Sequence, residues 1–184
     1  MLRISLLIAV VFFVGLSCEV YAQDAGSRAT ELAAALDKNK YKKKEKANIS
    51  IEIYIDIKNE PAAREDPSAY SGRYDAGDYQ LNLNVGRDGS ATGEGYDTIG
   101  VDARRVSFTL SDARVQGALL TGTKNYNGGQ SEKFEAVFAN RTVSTGKNAN
   151  QIESRDTMFG LGFLQAGNSK GAESWTNRVF LEKR

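Results

Sequence analysis

Ile49-Ser50-Ile51-Glu52-Ile53-Tyr54-Ile55-Asp56-Ile57 is the stretch that decides the fold class. Five isoleucines recur at period two with polar residues between them, the alternation of a half-buried β-strand. A branched Cβ packs well on a pleated surface and loses rotamer freedom in a helix. After this stretch, Asn59 to Ser71 carries both prolines, Pro61 and Pro67, and reads as a connecting loop.

The same alternation continues to the end of the chain. Tyr79, Leu81, Leu83 and Val85 alternate with Gln80, Asn82 and Asn84. Gly86-Arg87-Asp88-Gly89 is a hairpin turn. Ser90 to Tyr96 returns with Gly93 and Gly95 at positions suited to a bulge or sharp curvature. Further runs follow at Val106–Leu110, at Val115–Thr121 and at Phe134–Phe138. A polar loop is expected over Thr145 to Ser154, then Phe159–Phe163, then Val179 and Leu181. Gly72-Arg73-Tyr74, with Asp88-Gly89 and Thr92-Gly93, resembles the opening hairpin of avidin-like barrels in its Gly-x-aromatic start and its Asp-Gly turn. The resemblance covers only this hairpin. Those barrels place several tryptophans around biotin, whereas this chain has Trp175 alone, so the resemblance implies no function.

The expected fold is all-β: an eight-stranded antiparallel meander, closed as a barrel of calycin/avidin-like architecture or folded as a sandwich, with a short N-terminal helix. Closure removes free strand edges. An outer-membrane barrel does not fit, because Glu52, Asp56, Arg114, Glu135, Arg178 and Glu182 occupy outward positions where lipid requires apolar residues.

Upstream, residues 1–22 have the pattern of a secretory signal: Arg3, an apolar run from Ile4 to Leu16, and Val20-Tyr21-Ala22 as a cleavage site. The run is shorter than the about 20 apolar residues a membrane span takes. Gly15-Leu16-Ser17-Cys18 gives a second reading, a loose lipobox with Cys18 as a lipid anchor. Either way the protein is expected to be secreted, periplasmic or held at the envelope, with no membrane-spanning helix. Residues 23–48 read as a leader: helix formers over Ala29 to Asp37, then Lys38-Asn-Lys-Tyr-Lys-Lys-Lys-Glu-Lys46. A helix this short is marginal alone, so the leader is expected to be partly disordered and to bury little apolar surface. Its lysines suit an anionic surface or polymer. Residues 49–184 form the single β-domain.

The chain contains no histidine, and its one cysteine lies in the signal. That removes Ser-His-Asp and Cys-His catalysis, His/Cys zinc sites and haem ligation by histidine. A net charge of +1 argues against general nucleic-acid binding. Asp88, Ser90, Thr92 and Glu94 alternate as calcium ligands can, but lack an EF-hand core and suit a solvated hairpin equally. Asn48-Ile-Ser50 and Asn140-Arg-Thr142 are formal glycosylation sequons. Asp75, Asp78, Asp97, Asp102, Asp112 and Asp156 are plentiful carboxylates, yet no spacing selects an acid–base pair, and most suit turns. No catalytic residue, metal ligand or cofactor is assigned.

The candidate site comes from geometry. In a meander, alternate strands begin at one end. Side-chain parity then turns Tyr79, Arg104, Trp175 and Asn177 inward at one mouth. An aromatic-walled mouth with one arginine suits a small amphipathic anion. The expected function is an exported binding module for such an anion or for an envelope partner, without catalysis. The alternative is a structural or interaction protein of the cell envelope, and an empty, dry barrel interior would favour it. A cofactor-free hydrolase using carboxylates stands behind both.

Overall fold

The computed structural model describes residues 24–46, 49–99, 104–168 and 174–184, with side chains described over 24–38, 53–98, 104–164 and 178–184. Residues 1–22, expected to be a signal or to carry a lipid anchor at Cys18, lie outside the described residues.

Helix α1 spans 24–36. The strands are β1 (Lys38–Lys46), β2 (Ile49–Pro61), β3 (Gly72–Asp75), β4 (Gln80–Val85), β5 (Ser90–Ile99), β6 (Arg104–Gln116), β7 (Leu119–Tyr126), β8 (Ser131–Asn148), β9 (Gln151–Asn168) and β10 (Ser174–Lys183). A single 3-10 turn, Pro67–Tyr70, stands before β3. From β3 to β10 each strand pairs antiparallel with the next. β10 returns to β3 through Glu182–Asp75 and Lys183–Tyr74, closing an eight-stranded ring. The ring is the expected antiparallel meander.

Inward positions carry the core: Leu81, Leu83 and Val85 of β4, Phe108 and Leu110 of β6, Leu120 of β7, Phe138 of β8, Leu161 and Phe163 of β9, and Val179 and Leu181 of β10. In β6 the inward residues shift from even to odd numbers, since Ala113 and Val115 also face the core. A bulge between Ser111 and Arg114 makes the shift, with Asp112 at φ 50°. One extra residue flips side-chain parity.

Two features differ from the sequence expectation. The leader is a folded part of the molecule. Ala25, Ala29, Leu32, Ala33 and Leu36 of α1 are buried against Ala118, Leu119 and Val137 on the outside of β7 and β8. The spacing of those five residues is one helical face. Tertiary packing thus stabilises a helix too short to form alone. Leu36 reaches β9, where a Cβ on Gly162 would stand 2.3 Å from its Cδ1. Arg28 donates to Glu135 through Nε at 2.8 Å and Nη2 at 2.7 Å, and Arg178 donates to the Ala35 carbonyl at 2.7 Å. The lysine run, expected as a solvated leader, is β1, paired along its whole length with β2.

The second difference is length. β8 and β9 run through most of the expected polar loop 145–154 and pair down to Asn148–Gln151. Beyond the first residue of β7, Leu119 opposite Val137, β2 takes its place beside β8, from Pro61–Ala139 to Tyr54–Gly146. β1, β2, the second half of β8 and the first half of β9 therefore form a four-stranded arm beyond the ring. Residues 151–157 are exposed on both faces, so apolar alternation is missing there. Cross-strand contacts such as Thr142 Oγ1 to Thr157 Oγ1, at 3.3 Å, replace it.

Candidate functional site

The expected mouth lies where β4, β6, β8 and β10 begin. Tyr79 sits there, half-buried, its ring edge-on to Phe163 at 6.4 Å and its hydroxyl 3.4 Å from the Thr98 carbonyl. Arg104 opens β6 opposite Ile99, in step with Val106 and Phe108, and its side chain is exposed. The backbones of Trp175 and Asn177 pair with Gly167 and Gln165 in β10, and their side chains lie outside the described set.

Three further polar groups converge inside this end. Asp97 comes from β5, in step with Gly93 and Gly95. Lys124 and Tyr126 come from the end of β7. Lys124 Nζ donates to Asp97 Oδ2 at 2.6 Å, and the Tyr126 hydroxyl donates to the same oxygen at 2.8 Å. Glu132 Oε2 stands 3.3 Å from that hydroxyl. The ion pair is almost fully enclosed, with the Lys124 and Asp97 side chains 8% and 3% exposed. Three rings surround the ammonium: Phe163 at 4.5 Å, Phe108 at 4.8 Å and Phe134 at 5.5 Å. Rings at such distances attract a cation, more so where water is excluded. Burial holds the Tyr126 phenol protonated well above its ordinary range, and the Asp97 and Glu132 carboxylates push the same way. Tyr79 is raised by burial first and by Asp97 second.

The other end is aromatic. Tyr70 stacks on Phe138 at 3.9 Å between ring centroids, and its hydroxyl meets the Ala62 carbonyl at 2.7 Å and the Gly117 carbonyl at 3.0 Å. Tyr74 donates to the Tyr70 carbonyl. Burial raises both phenols. Between the two ends, the void lined by Leu81, Asp97, Phe108, Lys124 and Leu161 amounts to about 10 Å³. That is at the lower limit for a single water. Among the described residues the interior is packed with side chains.

The large concavity is outside. A cleft of about 710 Å³ runs between α1 and the outer faces of β7 and β8, lined by Arg28, Leu32, Thr121, Lys133 and Glu135. Arg28 and Glu135, from its two walls, form an ion pair at 2.7 Å. At the foot of α1, Asp37 Oδ1 accepts from the Asn59 backbone and side chain at 2.7 and 3.0 Å. Asn59 in turn accepts from Arg141 Nε at 2.9 Å, and that guanidinium lies 3.9 Å over the Phe180 ring. Burial lowers the Arg141 pKa to about 10, with Asp37 opposing.

Asp88 closes the β4–β5 hairpin, since its Oδ1 accepts from Ser90 N at 3.0 Å and Ser90 Oγ at 2.7 Å. Those bonds hold its carboxyl below the usual range. Among the described residues no group of three or more acidic side chains is placed to hold a metal ion, and no helix is long and apolar enough to cross a membrane. No protein-family model, curated protein or solved structure matches the chain.

The sequence holds a partial signal for the Asp97–Lys124–Tyr126 cluster. Lys124 falls in step with Leu120 and Gly122. Taking Leu119 and Thr121 as the inward residues of β7 conceals it. Leu119 is buried too, but under α1 on the outside. Tyr126 is the last residue of β7.

Proposed function

We propose that this protein is an exported, envelope-associated interaction module that works through its outer surface, without holding a small ligand in its ring. The observation that carries the reading is the interior filled by the described residues, with its void of about 10 Å³ and the deep cation Lys124 already neutralised by Asp97. A ligand carboxylate seeking Lys124 would have to displace Asp97 and leave that carboxylate buried and unpaired, a penalty of several kcal/mol. Export is supported by the pattern of residues 1–22. The arm supports the interaction role: it is a four-stranded sheet projecting from a closed ring, and its Ile53 and Ile152 are both exposed.

The test is a melting-temperature screen of the purified protein against small amphipathic anions, such as fatty acids, aromatic carboxylates and organic phosphates. The proposal expects no concentration-dependent rise with any of them. A saturable rise with one anion, abolished by Arg104→Ala or by Lys124→Met, would instead establish the internal-ligand reading.

A further inference from the structure

The register of the arm puts two rows of opposite character side by side. Lys38, Lys40, Lys42, Lys44 and Lys46 of β1 stand directly opposite Ile57, Ile55, Ile53, Ile51 and Ile49 of β2. Directly opposed residues of an antiparallel pair share one face of the sheet. One face thus carries a row of five isoleucines bordered by a row of five lysines, over a length of about 30 Å at the usual strand rise. The opposite face carries Asn39, Tyr41, Lys43 and Glu45 on β1, against Asp56, Tyr54, Glu52 and Ser50 on β2. It is mixed, with more acid than base. Beyond the isoleucines the first face continues into Val143 and Thr145 of β8, and Asp156 of β9 sits at its far edge. Ile53 is 43% exposed.

Lysines on an edge strand commonly guard against edge-to-edge pairing. That duty does not require them to share a face with an apolar row, nor to fill every alternate position of the strand. A cationic row beside an apolar row does fit the boundary of an anionic bilayer. There, apolar side chains enter the headgroup–acyl boundary and lysines meet the lipid phosphates. We infer that the Ile/Lys face of the arm is a docking surface for a membrane bearing anionic phospholipid. The inference deepens the proposed role at the envelope and rests on it. A failure of that role shows as a small anion raising the melting temperature, whereas a failure here shows in the binding of vesicles.

The test is co-sedimentation with vesicles of phosphatidylcholine alone and of phosphatidylcholine mixed with phosphatidylglycerol. All variants keep the same N-terminus, so differences between them report the arm. The wild type should bind the mixed vesicles, bind phosphatidylcholine far more weakly, and come off as salt rises. Each lysine near such a surface contributes about 1 kcal/mol, so Lys40→Gln with Lys42→Gln should lower the partition coefficient about twentyfold to thirtyfold. Ile53→Ser should also lower it. Lys43→Gln, on the opposite face, should change it about as little as one long-range charge allows. Melting temperature, read on every variant, identifies any that fails to fold. Equal binding to both vesicle types, or full binding by the double lysine variant, would overturn the inference. So would binding to heparin as tight as to vesicles and indifferent to Ile53→Ser, which would make the face a polyanion site.

Discussion

Replacing Lys124 with methionine keeps a long, unbranched stem among Phe108, Phe134 and Phe163 and removes only the charge. Asp97, whose side chain is 3% exposed, would then keep the Tyr126 hydroxyl as its nearest donor, at 2.8 Å. Removing one partner from a buried ion pair costs about 3–5 kcal/mol, mainly because the remaining charge is left uncompensated. Total stabilities of about 5–15 kcal/mol make that a large fraction. For a domain of this size it corresponds to a fall in melting temperature of roughly 6–20 °C. Adding Asp97→Asn removes the stranded charge and keeps an acceptor for Tyr126, so the double variant should recover at least half of the loss. The assay is urea unfolding of the wild type, both single variants and the double variant as a thermodynamic cycle. A Lys124→Met protein within about 1 kcal/mol of wild type, or a double variant as unstable as the sum of the singles, would refute the view that this pair is closed off from water.

Leu36→Ala should cost about 2–5 kcal/mol by urea unfolding, because Leu36 is buried between α1 and the ring and leaves a cavity. Gly160→Ala should be more damaging than its size suggests, since the new Cβ would stand 2.2 Å from the Leu181 carbonyl and 2.7 Å from the Phe180 ring; a loss of about 1–3 kcal/mol or more is expected. Tyr70, Tyr74, Tyr79 and Tyr126 all hold their protons above the ordinary phenol value in the fold. Their contribution is intact below about pH 10, where the unfolded chain begins to ionise them, and is lost as pH rises further. Arg141, lowered to about 10, has the opposite sign and offsets only one of the four. Absorbance at 295 nm should therefore show part of the tyrosine set ionising only together with alkaline unfolding. Mass spectrometry of the exported protein should find a chain beginning at Gln23, and a diacylated Cys18 would replace that outcome with a lipoprotein.

The ring was legible because its strands have one wet face and one dry face. The alternations at Leu81–Val85, Val106–Leu110 and Val179–Leu181 match the inward residues found. Parity failed where both faces are covered. At Leu119–Leu120 and Ala136–Ala139 the core lies on one side and α1 on the other, and period two loses its meaning. Pairing was missed where both faces are wet, as in residues 151–157, because polar residues alternate with polar residues. The lysine run hid as a strand for a different reason. Its lysines alternate only with respect to the isoleucines across from them, a relation that appears once the register is known. The buried polar cluster lies at the end where β4, β6, β8 and β10 begin. Its members Asp97, Lys124 and Tyr126 are not legible in the sequence, because an acid and a base at inward positions make sense only as a pair, and they lie on non-adjacent strands.

Among the described residues the ring interior is already full, and the Lys124 ammonium reports on it directly. The measurement is its side-chain nitrogen resonance, followed by NMR while small amphipathic anions are titrated in. A water-excluded ammonium bound to Asp97 at 2.6 Å should give a slowly exchanging signal that no anion moves. A signal that exchanges as fast as that of an exposed lysine, or one that shifts saturably with an added anion, would contradict the account and return the ring to the class of ligand-holding barrels.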